Sequence, residues 1–112
     1  MAGRYNMVCD QGATFQLIFN ISTDGVAWTL SNYTARMSVK EFPSATTALI
    51  SLTTANNRIS FSGGQVTLLI SAGDTADLPF GRFDYDLEFE DNAGTVTRIL
   101  EGKFVVRQEV TN

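Results

Sequence analysis

From Phe83 to Glu90 apolar and acidic residues alternate at every step: Phe83, Tyr85, Leu87 and Phe89 on one parity, Asp84, Asp86, Glu88 and Glu90 on the other. A period of two puts each class on its own face of a strand, whereas a helical period of 3.6 would scatter both around a cylinder. Two further runs behave alike. Phe15, Leu17, Phe19 and Ile21 face away from Gln16 and Asn20, and Ala35, Met37 and Val39 face away from Thr34, Arg36, Ser38 and Lys40. Weaker runs fall at 7–9, 48–52, 58–61, 66–71 and 95–106. Turn signals separate them: Asp24-Gly25, Pro43-Ser44, Asn56-Asn57, Gly63-Gly64 and Asp91-Asn92-Ala93-Gly94. The spacing predicts an all-β fold, an immunoglobulin-like antiparallel β-sandwich of about seven to eight short strands. Helix is confined to one turn around 74–78, stopped by Pro79.

Two details refine this expectation. Leu78-Pro79-Phe80-Gly81, followed by Phe83 and Tyr85, resembles the corner at which an immunoglobulin-like chain crosses between sheets. The Tyr85 hydroxyl then either returns to the backbone of that corner or sits at the rim of the core. In the last hairpin no single register is satisfactory. A four-residue loop places Arg98 beside Leu87 on the apolar face, and a three-residue loop with a left-handed Gly94 places Tyr85 against Glu101. The conflict predicts a β-bulge between Arg98 and Glu101, where one extra residue reverses which side chains face inward, with Gly102 helping the strand to bend.

The 112 residues suit one domain, 1–112, with short arms at 1–6 and 108–112. Apolar residues make up 44% and charged residues 18%, enough to close a core and too little charge for a disordered chain. The net charge of −4, with lysine only at Lys40 and Lys103, disfavours a nucleic-acid partner. The chain has no histidine, which removes Ser-His-Asp and Cys-His catalysis and histidine metal sites. Cys9 is the sole cysteine, so an internal disulfide is impossible and synthesis in a reducing compartment is expected. The first residues lack the apolar core of a signal peptide, and no apolar run approaches the roughly 18 residues of a membrane span. No membrane partner is expected.

The remaining residue types point to surfaces more than to chemistry. The row Asp84, Asp86, Glu88 and Glu90 could bind calcium or supply a glycosidase pair, but its even spacing reads as a wet sheet face paired with Arg98, Lys103 or Arg107. Cys9, beside Met7 and Val8 and without a histidine base, reads as an inert apolar filler. Gly63-Gly64 has no following helix or lysine to make a phosphate cradle. Trp28 either packs at the rim or stacks on a ligand. Phe42, before Pro43, and Phe80, between Pro79 and Gly81, fall in expected loops, where they either cover the ends of the sandwich or face a partner. No cofactor and no metal are expected.

Several segments together carry a resemblance. Ala2-Gly3-Arg4-Tyr5-Asn6 with Gln11-Gly12-Ala13-Thr14-Phe15, then Leu30-Ser31-Asn32-Tyr33-Thr34-Ala35-Arg36-Met37, then Gly81-Arg82-Phe83-Asp84-Tyr85-Asp86-Leu87-Glu88, and finally Gly94-Thr95-Val96-Thr97-Arg98-Ile99-Leu100-Glu101-Gly102 resemble small virion structural proteins of tailed bacteriophages with an immunoglobulin-like fold. Leu30, Tyr33 and Ala35 are also similar to the N-terminal domain of phage baseplate upper proteins, which continue into a receptor-binding stem.

The resemblance implies a non-enzymatic, multi-copy component of a virion, made in the host bacterial cytoplasm. It would contact other virion proteins as a capsid cement or at the neck, tail or fibre. The expected contact residues are Arg4, Tyr5, Trp28, Phe42, Phe80, Gln108 and Val110, with the arms lying along neighbouring subunits. The competing expectation is a carbohydrate- or receptor-binding module of a phage tail, with Trp28, Tyr33 and Phe42 as a stacking platform.

Overall fold

The computed structural model describes residues 3–23 and 25–108, and its strands of four or more residues fall close to where apolar alternation places them, while two-residue strands at 3–4, 22–23 and 26–27 lie outside that pattern. In chain order they are β1 (Gly3–Arg4), β2 (Met7–Asp10), β3 (Phe15–Asn20), β4 (Ser22–Thr23), β5 (Val26–Ala27), β6 (Thr34–Lys40), β7 (Ile50–Thr53), β8 (Ile59–Ser62), β9 (Gln65–Ile70), β10 (Gly81–Glu90) and β11 (Val96–Arg107). The one helix among the described residues, α1 (Ala72–Ala76), is a single capped turn: the Ser71 side chain accepts from the Asp74 N–H at 3.2 Å.

Two sheets form the layers of an all-β sandwich. The larger has the order β1-β11-β10-β6-β7, with β2 also on β11, and the smaller has the order β3-β9-β8. A short ladder, β4 with β5, turns at Gly25, whose φ of 80° is left-handed. Pairing is antiparallel except on one side, where β1 and β2 both run parallel to β11. Aromatic pairs clasp the layers. Phe15 of β3 meets Phe104 of β11 edge-on at 5.5 Å, and Phe61 of β8 meets Phe89 of β10 at 5.4 Å. Between the layers Met37, Leu52, Leu68, Ile70 and Leu87 are buried almost completely.

The last hairpin resolves its register conflict with the expected bulge. Near the turn Glu90 opposes Val96 and Glu88 opposes Arg98, whereas beyond it Leu87 opposes Leu100 and Tyr85 opposes Gly102, leaving Ile99 as the extra residue. The turn is the three-residue form. The Asp91 N–H donates to the Thr95 carbonyl at 3.1 Å, Gly94 is left-handed, and the Asp91 carboxylate accepts from the Ala93 and Thr95 N–H groups at 2.9 Å each.

The N-terminal segment departs from the expected free arm. Gly3 opposes Leu100 and Met7 opposes Phe104, four residues on in both strands, so β1 and β2 keep one register across Tyr5 and Asn6. At that interruption the Tyr5 N–H still donates to the Glu101 carbonyl at 3.0 Å, and the Asn6 side-chain oxygen stands in for a backbone carbonyl, accepting from the Lys103 N–H at 3.0 Å. The Tyr5 carbonyl is thereby released to accept from the Tyr85 hydroxyl at 2.5 Å. Tyr85 therefore bonds the N-terminal strand and not the corner at Leu78 to Gly81.

That corner has other partners. Gln11 donates through its side-chain amide to the Leu78 carbonyl at 2.8 Å, and the buried Thr75 hydroxyl accepts from the Gly12 N–H at 3.1 Å and donates to the Ala13 carbonyl at 2.8 Å. The helix turn and the loop between β2 and β3 are thus tied together.

Candidate interaction surfaces

Each layer turns one face to solvent, and the two outer faces differ in charge. On the large sheet, β10 presents Asp84, Asp86, Glu88 and Glu90, β6 presents Arg36, Ser38 and Lys40, and β11 presents Arg98, Glu101 and Lys103. Opposite charges meet across strands. Lys103 reaches Asp84 at 2.6 Å, and Arg36 reaches Glu88 at 3.1 Å and Glu90 at 2.8 Å. Arg98 lies 3.5 Å from Asp86 and 3.4 Å from Glu101. Arg107, expected as a neighbour of this row, pairs instead with Asp10 on β2 at 2.5 Å. The face encloses a shallow hollow of about 690 Å³ whose walls are these same paired side chains. Among the described residues no group of three acids or thiols could hold a metal ion.

Asp86 is the least comfortable member of the row. Partial burial, and then the neighbouring Glu88 and Glu101, push its carboxyl above the usual range, against the pull of Arg98 and Lys40. The bulge at Ile99 creates this arrangement, because it brings Glu101 directly opposite Asp86. Asp10 and Asp74 lie on the other side of normal, lowered by hydrogen bonds from Arg107 and Arg58 respectively.

The signs give opposite expectations. Asp10 and Asp74 contribute stability above the ordinary aspartate value of 3.8, and lose it as pH falls through their lower folded values. Asp86 favours its protonated form in the folded state, and that contribution disappears as pH rises through its raised value. At pH 7, Asp86→Asn should leave the melting temperature unchanged or slightly higher, while Asp10→Asn lowers it, and the Asp10→Asn deficit should shrink as pH falls below the ordinary aspartate value of 3.8. Melting curves from pH 2 to 8 check both signs; a loss for Asp86→Asn matching that of Asp10→Asn would contradict the assignment.

No known family model matches the chain. Nor does any curated protein match it.

The expected contact residues separate into three places. Phe42 follows β6 and Phe80 precedes β10. The β6–β10 register, in which Asp84 opposes Lys40, brings both to one end of the large sheet, where β11 also delivers Gln108. Phe42 is 53% exposed and Phe80 59%. Trp28 lies at the other end, packed on Tyr33 at 5.8 Å, and the Tyr33 ring rests 6.0 Å from Phe89 in the core. Since β6 separates Tyr33 from Phe42 by about 20 Å of strand, Trp28, Tyr33 and Phe42 do not form one platform. Arg4 and Tyr5 occupy the side of the sheet, with exposed side chains on an anchored backbone, and Arg4 is 3.8 Å from Glu101. Val110 and Asp24 lie outside the described residues.

Cys9 is buried, and burial pushes its thiol up to about 11, which suits the expected inert filler.

A further surface escaped the strand pattern. The outer face of the small sheet carries Gln16, Ile18 and Asn20 from β3 and Gln65, Thr67 and Leu69 from β9, with no charged side chain on either strand. Ile18 and Leu69 are both exposed. Beside β3 a cleft of about 350 Å³, lined by Tyr5, Val8, Phe15 and Leu17 among others, opens between the edges of the two sheets. The signal was present in the chain: 15–20 contains no charge, proline or glycine.

Proposed function

We propose that this chain is a non-enzymatic structural unit of a bacteriophage particle, present in many copies and acting through protein–protein contacts on a capsid, neck, tail or fibre. The observation that carries the reading is where apolar surface is exposed. Phe42 and Phe80 stand clear of the core at one end, Val26 and Val96 are exposed elsewhere, and Ile18 and Leu69 lie on an uncharged sheet face. The large-sheet carboxylates, by contrast, are held in ion pairs with Arg36, Arg98 and Lys103.

Scattered exposed apolar residues suit a unit with several neighbours, each contact contributing modest area multiplied by symmetry. The glycan-binding alternative has less support, because the Trp28 and Tyr33 rings pack against each other and toward Phe89, leaving Phe42 apart.

Quantitative mass spectrometry of purified particles from cells expressing the phage genome that encodes this chain tests the proposal. A stoichiometric multi-copy protein that remains with the particle through density-gradient purification is the expected result. Its absence from the particles would overturn the reading. Phe42→Ser with Phe80→Ser should lower incorporation while leaving the isolated domain folded.

A further inference from the structure

Among the described residues, the free edges of the two sheets are guarded unequally. On β7 two of the outward backbone groups are already occupied: the Ser51 carbonyl accepts from Asn56 and Arg58 side chains at 3.0 Å each, and the Thr53 N–H donates to the Asn56 side-chain oxygen at 3.0 Å. On β2 the edge ends in Asp10, paired with Arg107. On β8 it is only four residues long.

On β3 it is six residues long and uncharged. The Ile21 N–H donates to Gly64, so pairing with β9 uses the odd-numbered residues of β3, and the backbone N–H and C=O of Gln16, Ile18 and Asn20 point away from the sheet. Charges, prolines and bulges are the usual protection of such an edge, and β3 has none of them.

We propose that β3 pairs antiparallel with β3 of a second copy, about a two-fold axis through Ile18. This inference goes beyond the proposed function, since it names the partner and stands whether or not the chain belongs to a particle. The chemistry selects another copy because the strand is its own complement. Around Ile18 the pairing sets Gln16 opposite Asn20 of the partner, amide to amide, and Ile18 opposite its own counterpart on the outer face. Leu17 then lies opposite Phe19 of the partner on the inner face, where both side chains are only half-buried in the single chain. In a chain of net charge −4, β3 and the adjoining face of β9 let two copies approach without opposing like charges. The two three-stranded sheets would become one continuous sheet of six, and the exposed Ile18 side chains would cover each other.

The test is sedimentation equilibrium of the full chain over a wide concentration range, with folding followed by circular dichroism. The parent protein is expected to show a reversible monomer–dimer equilibrium. Ile18→Lys, on an exposed site where edge strands commonly carry lysine, should stay folded and weaken association by about 100-fold, because the two lysines meet at the axis. Ile18→Glu should do the same, and an equimolar mixture of the two variants should recover a mixed dimer. Ile18→Pro removes only the outward N–H and should abolish the dimer without disturbing the ladder to β9.

A parent chain that stays monomeric up to its solubility limit would overturn the proposal and leave the edge to a different polypeptide. So would a dimer indifferent to Ile18→Lys, or a Lys/Glu mixture that associates no better than either variant alone.

Discussion

Replacing Phe89 by alanine is expected to cost about 4 kcal/mol and to lower the melting temperature by roughly 15–20 °C. Phe89 is fully buried in β10 and touches both layers and one end of the sandwich. Its ring meets Phe61 of the small sheet at 5.4 Å in an edge-on contact, and Tyr33 at 6.0 Å. Truncation would remove the burial of a whole aromatic ring and leave a cavity that β10, held in ladders to both β6 and β11, cannot collapse to fill. A second signature distinguishes this account from general loosening. Trp28 is the only tryptophan and packs on Tyr33 at 5.8 Å, so loss of support beneath Tyr33 should shift native tryptophan emission to the red before any unfolding. Val96→Ala, at an exposed position facing Glu90 on the same hairpin, should change stability by less than about 0.5 kcal/mol. A Phe89→Ala loss below about 1 kcal/mol would mean that the layers are not clasped as described.

The same ring shows how far the sequence could be read. Parity alone places Phe89 with Phe83, Tyr85 and Leu87 on the buried face, because the rule needs only the next residue along one strand. Register within a hairpin was legible as well, since Arg98 and Tyr85 could not both be accommodated without an extra residue, and Ile99 is that residue. What parity does not reveal is which strand lies beside which over long separations. Nothing local to Tyr85 marks the Tyr5 carbonyl, eighty positions away, as its partner. The N-terminal residues look like a polar arm because their anchoring at 5–6 runs through backbone groups and the amide of Asn6. Arg107 illustrates the same limit. Its charge was visible, but its choice of Asp10 over the β10 carboxylates follows from a parallel ladder that the apolar pattern does not encode. The candidate surface divided likewise: the loop placement of Phe42 and Phe80 followed from neighbouring prolines and glycine but their exposure did not, and the open edge of β3 emerged only once β9 was its sole partner among the described residues.

The close approach at Gly102 gives the second large expected effect. A Cβ added there would collide with the Tyr5 carbonyl oxygen and come within 3.0 Å of the Asn6 side-chain oxygen. The carbonyl cannot move aside cheaply, because it accepts the Tyr85 hydroxyl at 2.5 Å while the adjacent Tyr5 N–H is bonded to Glu101. Gly102→Ala should therefore lift β1 and β2 away from β11 and expose part of Met7 and Cys9. The expected cost is about 3 kcal/mol, or roughly 10–15 °C in melting temperature. Tyr85→Phe removes only the donor to the same carbonyl and should cost about 1–2 kcal/mol. Because both changes act on one oxygen, the double variant should lose clearly less than the two single losses together, a coupling that independent sites would not show. Gly73→Ala supplies the opposite sign. An added Cβ in α1 meets nothing within 4 Å, so alanine should stabilise by up to about 1 kcal/mol through helix propensity alone. Hydrogen exchange locates the damage. In Gly102→Ala the amides bonded between β2 and β11 should lose protection ahead of those between β6 and β10. Uniform loss across both ladders, or additive single and double variants, would show that Gly102 does not hold the N-terminal strand in the way its neighbours imply.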